Sequence, residues 1–173
     1  MKYFTTTSIA AIALAAFTGV AMAGSYTPPP ATPLTPPPAA AHDWTGWYGD
    51  VYAGHWINPA AGNYVGANIG YLTGSSTFLF GGELGLLYDP SAAYSQVTID
   101  ARVAAPVSDS AMVFANLGLG WDNSGVNFAK YSVGGQYAFS DSMYARGEIV
   151  GQRAISGGSG TTSSLRLGVG MEF

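Results

Sequence analysis

The chain has no cysteine, which excludes both a disulfide framework and a thiolate metal site. Charge is scarce as well. Asp, Glu, Lys and Arg together make up 9% of 173 residues, and the formal net charge is -4. A nucleic-acid-binding protein presents a basic face, and this composition excludes one. Beyond the amino terminus, no apolar run is long enough to cross a membrane as a helix. Histidine occurs only at His42 and His55. No metal cluster, phosphate loop or carboxylate pair stands at a site-like spacing, so no cofactor and no catalytic residue are expected. Gly118-Leu119-Gly120 is a glycine alternation within a strand pattern rather than a nucleotide fingerprint.

Glycine is abundant instead, at 24 residues, and aromatic residues reach 13%. The amino terminus reads as an export signal over residues 1–23: Lys2, an apolar core from Ile9 to Phe17, and the small-x-small pattern Ala21-Met22-Ala23. Its core is too short to span a bilayer, so cleavage after Ala23 is expected. Removing Lys2 leaves five bases against ten acids. Gly24 to His42 holds seven of the ten prolines and reads as an extended tether. It serves as a plain spacer or as a ligand for a periplasmic partner.

The rest, residues 43–173, alternates. In the last eleven residues, Leu165, Leu167, Val169, Met171 and Phe173 form one file, and Ser164, Arg166, Gly168, Gly170 and Glu172 the other. A period of two with charge on one face is the mark of a strand. The same pattern predicts eight strands: Trp44–Trp56, Asn63–Leu72, Thr77–Tyr88, Ser95–Ala104, Ala111–Trp121, Phe128–Phe139, Met143–Ile155 and Ser163–Phe173. Pro59, Pro90 and Pro106 fall between them, as a closed hydrogen-bonded sheet requires. In the third run, Leu79 and Leu87 share the face of Glu83, and a bulge at Gly81-Gly82 would restore the phase.

Asp50, Glu83, Asp100, Arg102, Lys130, Arg146, Glu148, Arg166 and Glu172 all fall on the polar file. Arg153 is the exception; it lies near a strand end, where it would reach head groups, as would His55. Trp47, Tyr71, Tyr137, Phe139 and Phe173 gather toward one end of the strands, and Tyr88 and Trp121 toward the other, as two interfacial girdles do. The fold class expected is all-β: an eight-stranded antiparallel up-and-down transmembrane β-barrel. A soluble barrel would turn the same files inside out, with the apolar file within and the charges in water. The export signal, low charge, girdles and terminal phenylalanine favour the membrane form.

Asp43-Trp44-Thr45-Gly46-Trp47-Tyr48, Val65 to Tyr71 and Gly82-Glu83-Leu84-Gly85 resemble the first three strands of small Gram-negative outer-membrane β-barrel proteins, notably the surface-antigen barrels of alphaproteobacteria. Phe173 is similar to their assembly signal. The resemblance implies insertion by the outer-membrane assembly machinery, which reads the last strand, and contact with outer-membrane lipid and lipopolysaccharide. Short loops set the chain apart from many relatives and disfavour a surface-binding role. A structural envelope role is expected, with a narrow ion-conducting channel as the alternative and a lipid A-modifying enzyme behind it. In the lumen, Glu83 is expected to pair with Arg102, and Glu148 or Asp50 with Arg146 or Arg166, because an isolated buried ion costs several kcal/mol.

Overall fold

The computed structural model describes residues 41–58 and 61–173. The expected signal peptide, the tether as far as residue 40, and Pro59 lie outside the described residues. Eight strands follow in chain order: β1 (Gly46–Asn58), β2 (Gly62–Gly74), β3 (Leu79–Asp89), β4 (Tyr94–Pro106), β5 (Ala111–Asp122), β6 (Asn127–Ala138), β7 (Met143–Ser156) and β8 (Thr161–Glu172). Each pairs antiparallel with its successor, and β8 pairs with β1, which closes the barrel. Closure leaves no unpaired strand edge, the condition for a sheet to cross lipid.

Alternation is nearly unbroken. Glu83 is 2% exposed, while its neighbour Leu84 is 53% exposed. Outside stand Val51, Ile69, Leu84, Ile99, Leu117, Val133, Ile149 and Leu167; inside stand most of the strands' charged and polar side chains. An apolar exterior around a polar interior reverses the arrangement of a soluble barrel, which decides between the two readings of the files.

Several details depart from the sequence reading. The β2–β3 register runs without interruption past Gly81 and Gly82, so the expected bulge is absent. Leu79 and Leu87 simply point inward, because the lumen itself has apolar layers at both ends. The register shifts lie elsewhere, at Trp56/Asn58 and Asn127/Phe128. Pro106 is the last residue of β4 rather than a turn residue, opposite Met112. A strand's final position tolerates the missing N–H that its middle would not. Trp44 precedes β1 rather than opening it, and it is buried in the lumen.

The glycines explain how so narrow a tube closes. Six inward aromatic rings lie directly across the ladder from an inward glycine: Tyr48 on Gly70, Tyr52 on Gly66, Tyr64 on Gly54, Phe114 on Gly134, Phe128 on Gly120 and Tyr144 on Gly170. A Cβ built on any of these glycines would stand 2.2–2.5 Å from the ring. Each ring therefore lies flat over the space that its neighbour's missing side chain leaves. At Gly66 the same Cβ would also meet the Leu86 carbonyl oxygen at 2.3 Å, and a backbone atom cannot swing aside. Gly66→Ala is expected to cost about 1–3 kcal/mol, the range for overpacking a filled interior. Denaturant unfolding in detergent micelles measures it. Gly135→Ala, outward and 3.6 Å from its nearest neighbour, is the control and should leave the midpoint in place.

Candidate functional site

The lumen is filled in three layers. Toward the end where β1 begins and β8 finishes, Trp44, Leu72, Leu79, Met112, Phe114 and Tyr144 form an apolar floor. Toward the opposite end, Tyr52, Tyr64 and Leu87 pack together with Trp56 against them. The amides of Gln96 and Gln152 exchange hydrogen bonds of 3.1 and 2.9 Å across the tube.

Between these layers sits the charge cluster. Its hub is Arg146 on β7. Its Nη1 donates to Asp50 Oδ2 at 2.8 Å and to Glu83 Oε2 at 2.7 Å. Its Nη2 donates to Glu83 Oε1 at 3.1 Å and to Glu148 Oε2 at 3.3 Å. The fork geometry of a guanidinium suits this two-point grip on Glu83. Glu83 Oε2 also accepts from Arg102 Nη1 at 3.0 Å and from the Tyr48 hydroxyl at 2.9 Å. Arg102 reaches the Gln136 amide oxygen as well. Both guanidinium groups lie over the Phe114 ring, with Arg102 at 4.0 Å and Arg146 at 4.6 Å from its centroid.

Lys130 and Asp100 form a separate pair at 2.7 Å, each side chain wholly buried. Arg166 stands 3.9 Å from Glu148 and donates to the Tyr64 hydroxyl at 3.1 Å, with Tyr52 beneath its guanidinium. The structure thus brings Glu83 to Arg102, and Asp50 and Glu148 to Arg146. It adds three links that alternation carries no signal for: Arg146 to Glu83 across the tube, Lys130 to Asp100, and the tyrosine hydroxyls.

Glu172 differs from the lumen site expected for it. It stands at the mouth where β1 begins and β8 finishes, and its Oε2 meets His42 Nε2 at 2.7 Å. Between the apolar layers the buried charges are then four acids, Asp50, Glu83, Asp100 and Glu148, against four bases, Arg102, Lys130, Arg146 and Arg166, while a fifth buried acid, Asp89, ends β3 and accepts from the N–H and hydroxyl of Ser91. His42, read from sequence as the end of the tether, packs on the barrel. Its N–H donates to the Asp109 carbonyl at 2.9 Å, and its ring meets Trp44 edge-on at 4.4 Å. Next to it, the N–H and then the hydroxyl of Thr45 hold the Asp43 carboxyl below the ordinary carboxylate range.

The girdle residues Trp47, Tyr71, Tyr88, Trp121, Tyr137, Phe139 and Phe173 are all exposed on the outer wall, with Trp47 and Tyr71 in edge-to-face contact at 5.4 Å. Arg153 is exposed, opposite Thr161 near the end of β7. His55 is exposed near the end of β1, with its Nδ1 2.8 Å from the Asn63 amide oxygen. Its partner is therefore an amide rather than a hydroxyl or carboxylate. Among the described residues, no group of three His, Cys, Asp or Glu side chains is placed to hold a metal ion.

An apolar wall around a charge-balanced interior packed with side chains defines a small transmembrane β-barrel. No protein-family model matches the chain, and a search of curated proteins finds no match. Solved structures do match in fold. A de novo designed transmembrane β-barrel aligns with a TM-score of 0.58 at 13% identity, covering 76% of this chain and 99% of the design. The N-terminal barrel domain of Pseudomonas aeruginosa OprF aligns at 0.54 with 15% identity, covering 73% and 96%. The outer membrane enzyme PagL aligns at 0.57 with 12% identity, covering 72% and 99%. At these identities the likeness is one of fold.

Proposed function

We propose that the protein is an exported, integral outer-membrane barrel of a Gram-negative envelope, with a structural role and a lumen sealed by paired charge. The observation that carries this reading is the match of four acids to four bases between the lumen's two apolar layers, inside a closed wall. A conducting pore needs mobile water and uncommitted charge along its axis. Here the guanidinium groups are committed to carboxylates, aromatic rings and hydroxyls from at least three strands. Outer-membrane lipid and lipopolysaccharide surround the wall in this reading. The assembly machinery engages β8 and Phe173, and the proline-rich segment before residue 43 serves as a spacer or as a ligand for a periplasmic partner. No catalytic step is assigned, since His55 is joined to an amide.

Planar-bilayer recording tests the seal. The purified protein should insert without steady conductance steps; defined steps would replace this reading with the narrow channel. Mass spectrometry of lipid A from cells with and without the protein should show the same acyl count, and a changed count would install an enzyme in its place.

A further inference from the structure

Strand β1 begins at Gly46, and the residues just before it leave the wall and turn into the mouth. Gly46 has a φ of 114°, in the left-handed region where a side chain is strained. The nearest atom to a Cβ built on it is the Phe173 carbonyl oxygen, at 3.9 Å. Conformation rather than crowding therefore requires glycine at this turn. Beyond it, Trp44 enters the apolar floor, 4% exposed, with its ring 6.4 Å from that of Tyr144. His42 holds the far end. Its ring meets Glu172 of β8 at 2.7 Å, and its N–H reaches the Asp109 carbonyl at 2.9 Å, in the turn between β4 and β5. That turn stands across the ring of eight strands from β1, so the segment bridges the opening.

We propose that residues 41–45 form a hinged strap over this mouth, with Gly46 as hinge, Trp44 as plug and His42 as latch, and that the strap opens while the barrel stays folded. Three features loosen it. It takes no part in the ladder, and among the described residues its one backbone hydrogen bond to the barrel is that at Asp109. The Trp44 Nε1–H is buried and meets no acceptor among the described residues, and an orphaned donor of this kind weakens docking about tenfold. One flank of the strap borders a cavity of about 580 Å³ in place of packed side chains. Asp43 lines that cavity together with Asp109 and Asp141, and like charges do not draw it shut. Opening leaves the charge cluster in place, because Glu172, the partner of His42, is not part of it. The proline-rich segment joins the strap directly, so a pull on that segment reaches His42 first and the floor of the lumen through Trp44.

Hydrogen exchange of the Trp44 indole N–H, followed by NMR on the full chain in detergent micelles and assigned through Trp44→Phe, tests the strap. In the parent this proton should be protected, yet at least about tenfold less than the backbone amides at the middle of β3 and β7, because opening the strap does not unfold the barrel. Gly46→Ala places a side chain in the strained region and should speed Trp44 exchange about tenfold while leaving the mid-strand amides unchanged. His42→Ala removes the latch and should speed it about fivefold. His55→Ala, near the other end of β1, should change neither rate. An indole proton as protected as the mid-strand amides would mean that this mouth opens only when the barrel unfolds, and one exchanging at its free rate would mean that the strap is never closed. Either result overturns the proposal. So does a Gly46→Ala variant that keeps the parent's Trp44 rate, or one whose mid-strand amides speed up equally, since the turn would then belong to the barrel.

Discussion

Arg146→Met is expected to lower the stability of the folded barrel by about 3–5 kcal/mol, the cost of removing one partner from a buried charge cluster. The reason is not that its ion pairs are individually strong. In a low-dielectric interior, attraction and desolvation largely cancel, and a fully apolar replacement of such a cluster is often neutral. The cost arises because Asp50, Glu83 and Glu148 remain, all buried, and lose a shared cation. Glu83 keeps Arg102 and the Tyr48 hydroxyl, Asp50 keeps the Asn68 amide at 2.7 Å and the Tyr144 hydroxyl at 3.3 Å, and Glu148 keeps the Asn116 amide at 3.2 Å and a distant Arg166. Arg102→Met strands one carboxylate partly and should cost less. Arg166→Met removes a 3.9 Å contact and a hydrogen bond to Tyr64 and should cost least. Denaturant titration in micelles, read by the mobility difference between folded and unfolded barrel, gives the order. A second substitution, Asp50→Asn, in the Arg146→Met background should recover part of the loss, since it removes the one carboxylate left with no cation. If Arg146→Met and Arg102→Met both unfold like the parent, the cluster does not hold the lumen together.

What the sequence makes legible here is what depends on one strand at a time. A period of two needs no knowledge of the neighbour, so the eight strands, the inward charges and the exposed girdle could be read from the chain. Most boundaries moved by one or two residues, usually outward, because ladder pairing extends strands past the last alternating residue, as at Pro106 and Asp122. What depended on closure was hidden. Arg146 finds Glu83 from four strands away because the tube brings β3 and β7 to the same axis, and nothing in either strand's pattern encodes that. Lys130 and Asp100 are two strands apart. The glycine–aromatic pairing had a signal, since abundant glycine alternating with tyrosine and phenylalanine is plain in the chain, but it becomes a packing rule only once the register is known. Leu79 and Leu87 break the alternation of β3 because the lumen is not uniformly polar: both of its ends are capped by apolar side chains. His42 was hidden because the proline-rich composition runs up to it, and Trp44, expected to open the first strand, because it continues the inward file of β1; an aromatic pair at the mouth has no period to betray it.

Leu84→Arg should cost about 2–4 kcal/mol when the barrel is folded into lipid vesicles, the penalty for a base near the bilayer midplane. Leu84 sits at the middle of β3, exposed on the outer wall, between Ile69 and Ile99 on the neighbouring strands. From there an arginine side chain has no carboxylate to meet and must snorkel far along the wall to reach water. Depth is the controlling variable. The wall already carries one outward base, Arg153, and it lies near the end of its strand. Arg153→Leu should therefore change stability by no more than about 1 kcal/mol, because the penalty vanishes toward the interface. The pair of variants separates two causes of instability. A general intolerance of the sheet to substitution would penalise both, and the same loss would appear in micelles and in bilayers. A lipid-facing wall penalises Leu84→Arg alone, and more in thick bilayers than in thin ones, where the guanidinium reaches head groups sooner. An arginine at position 84 that unfolds like the parent in vesicles of every thickness would mean that the apolar file faces something other than acyl chains, and the charged lumen would then need a different explanation from the one its burial supplies.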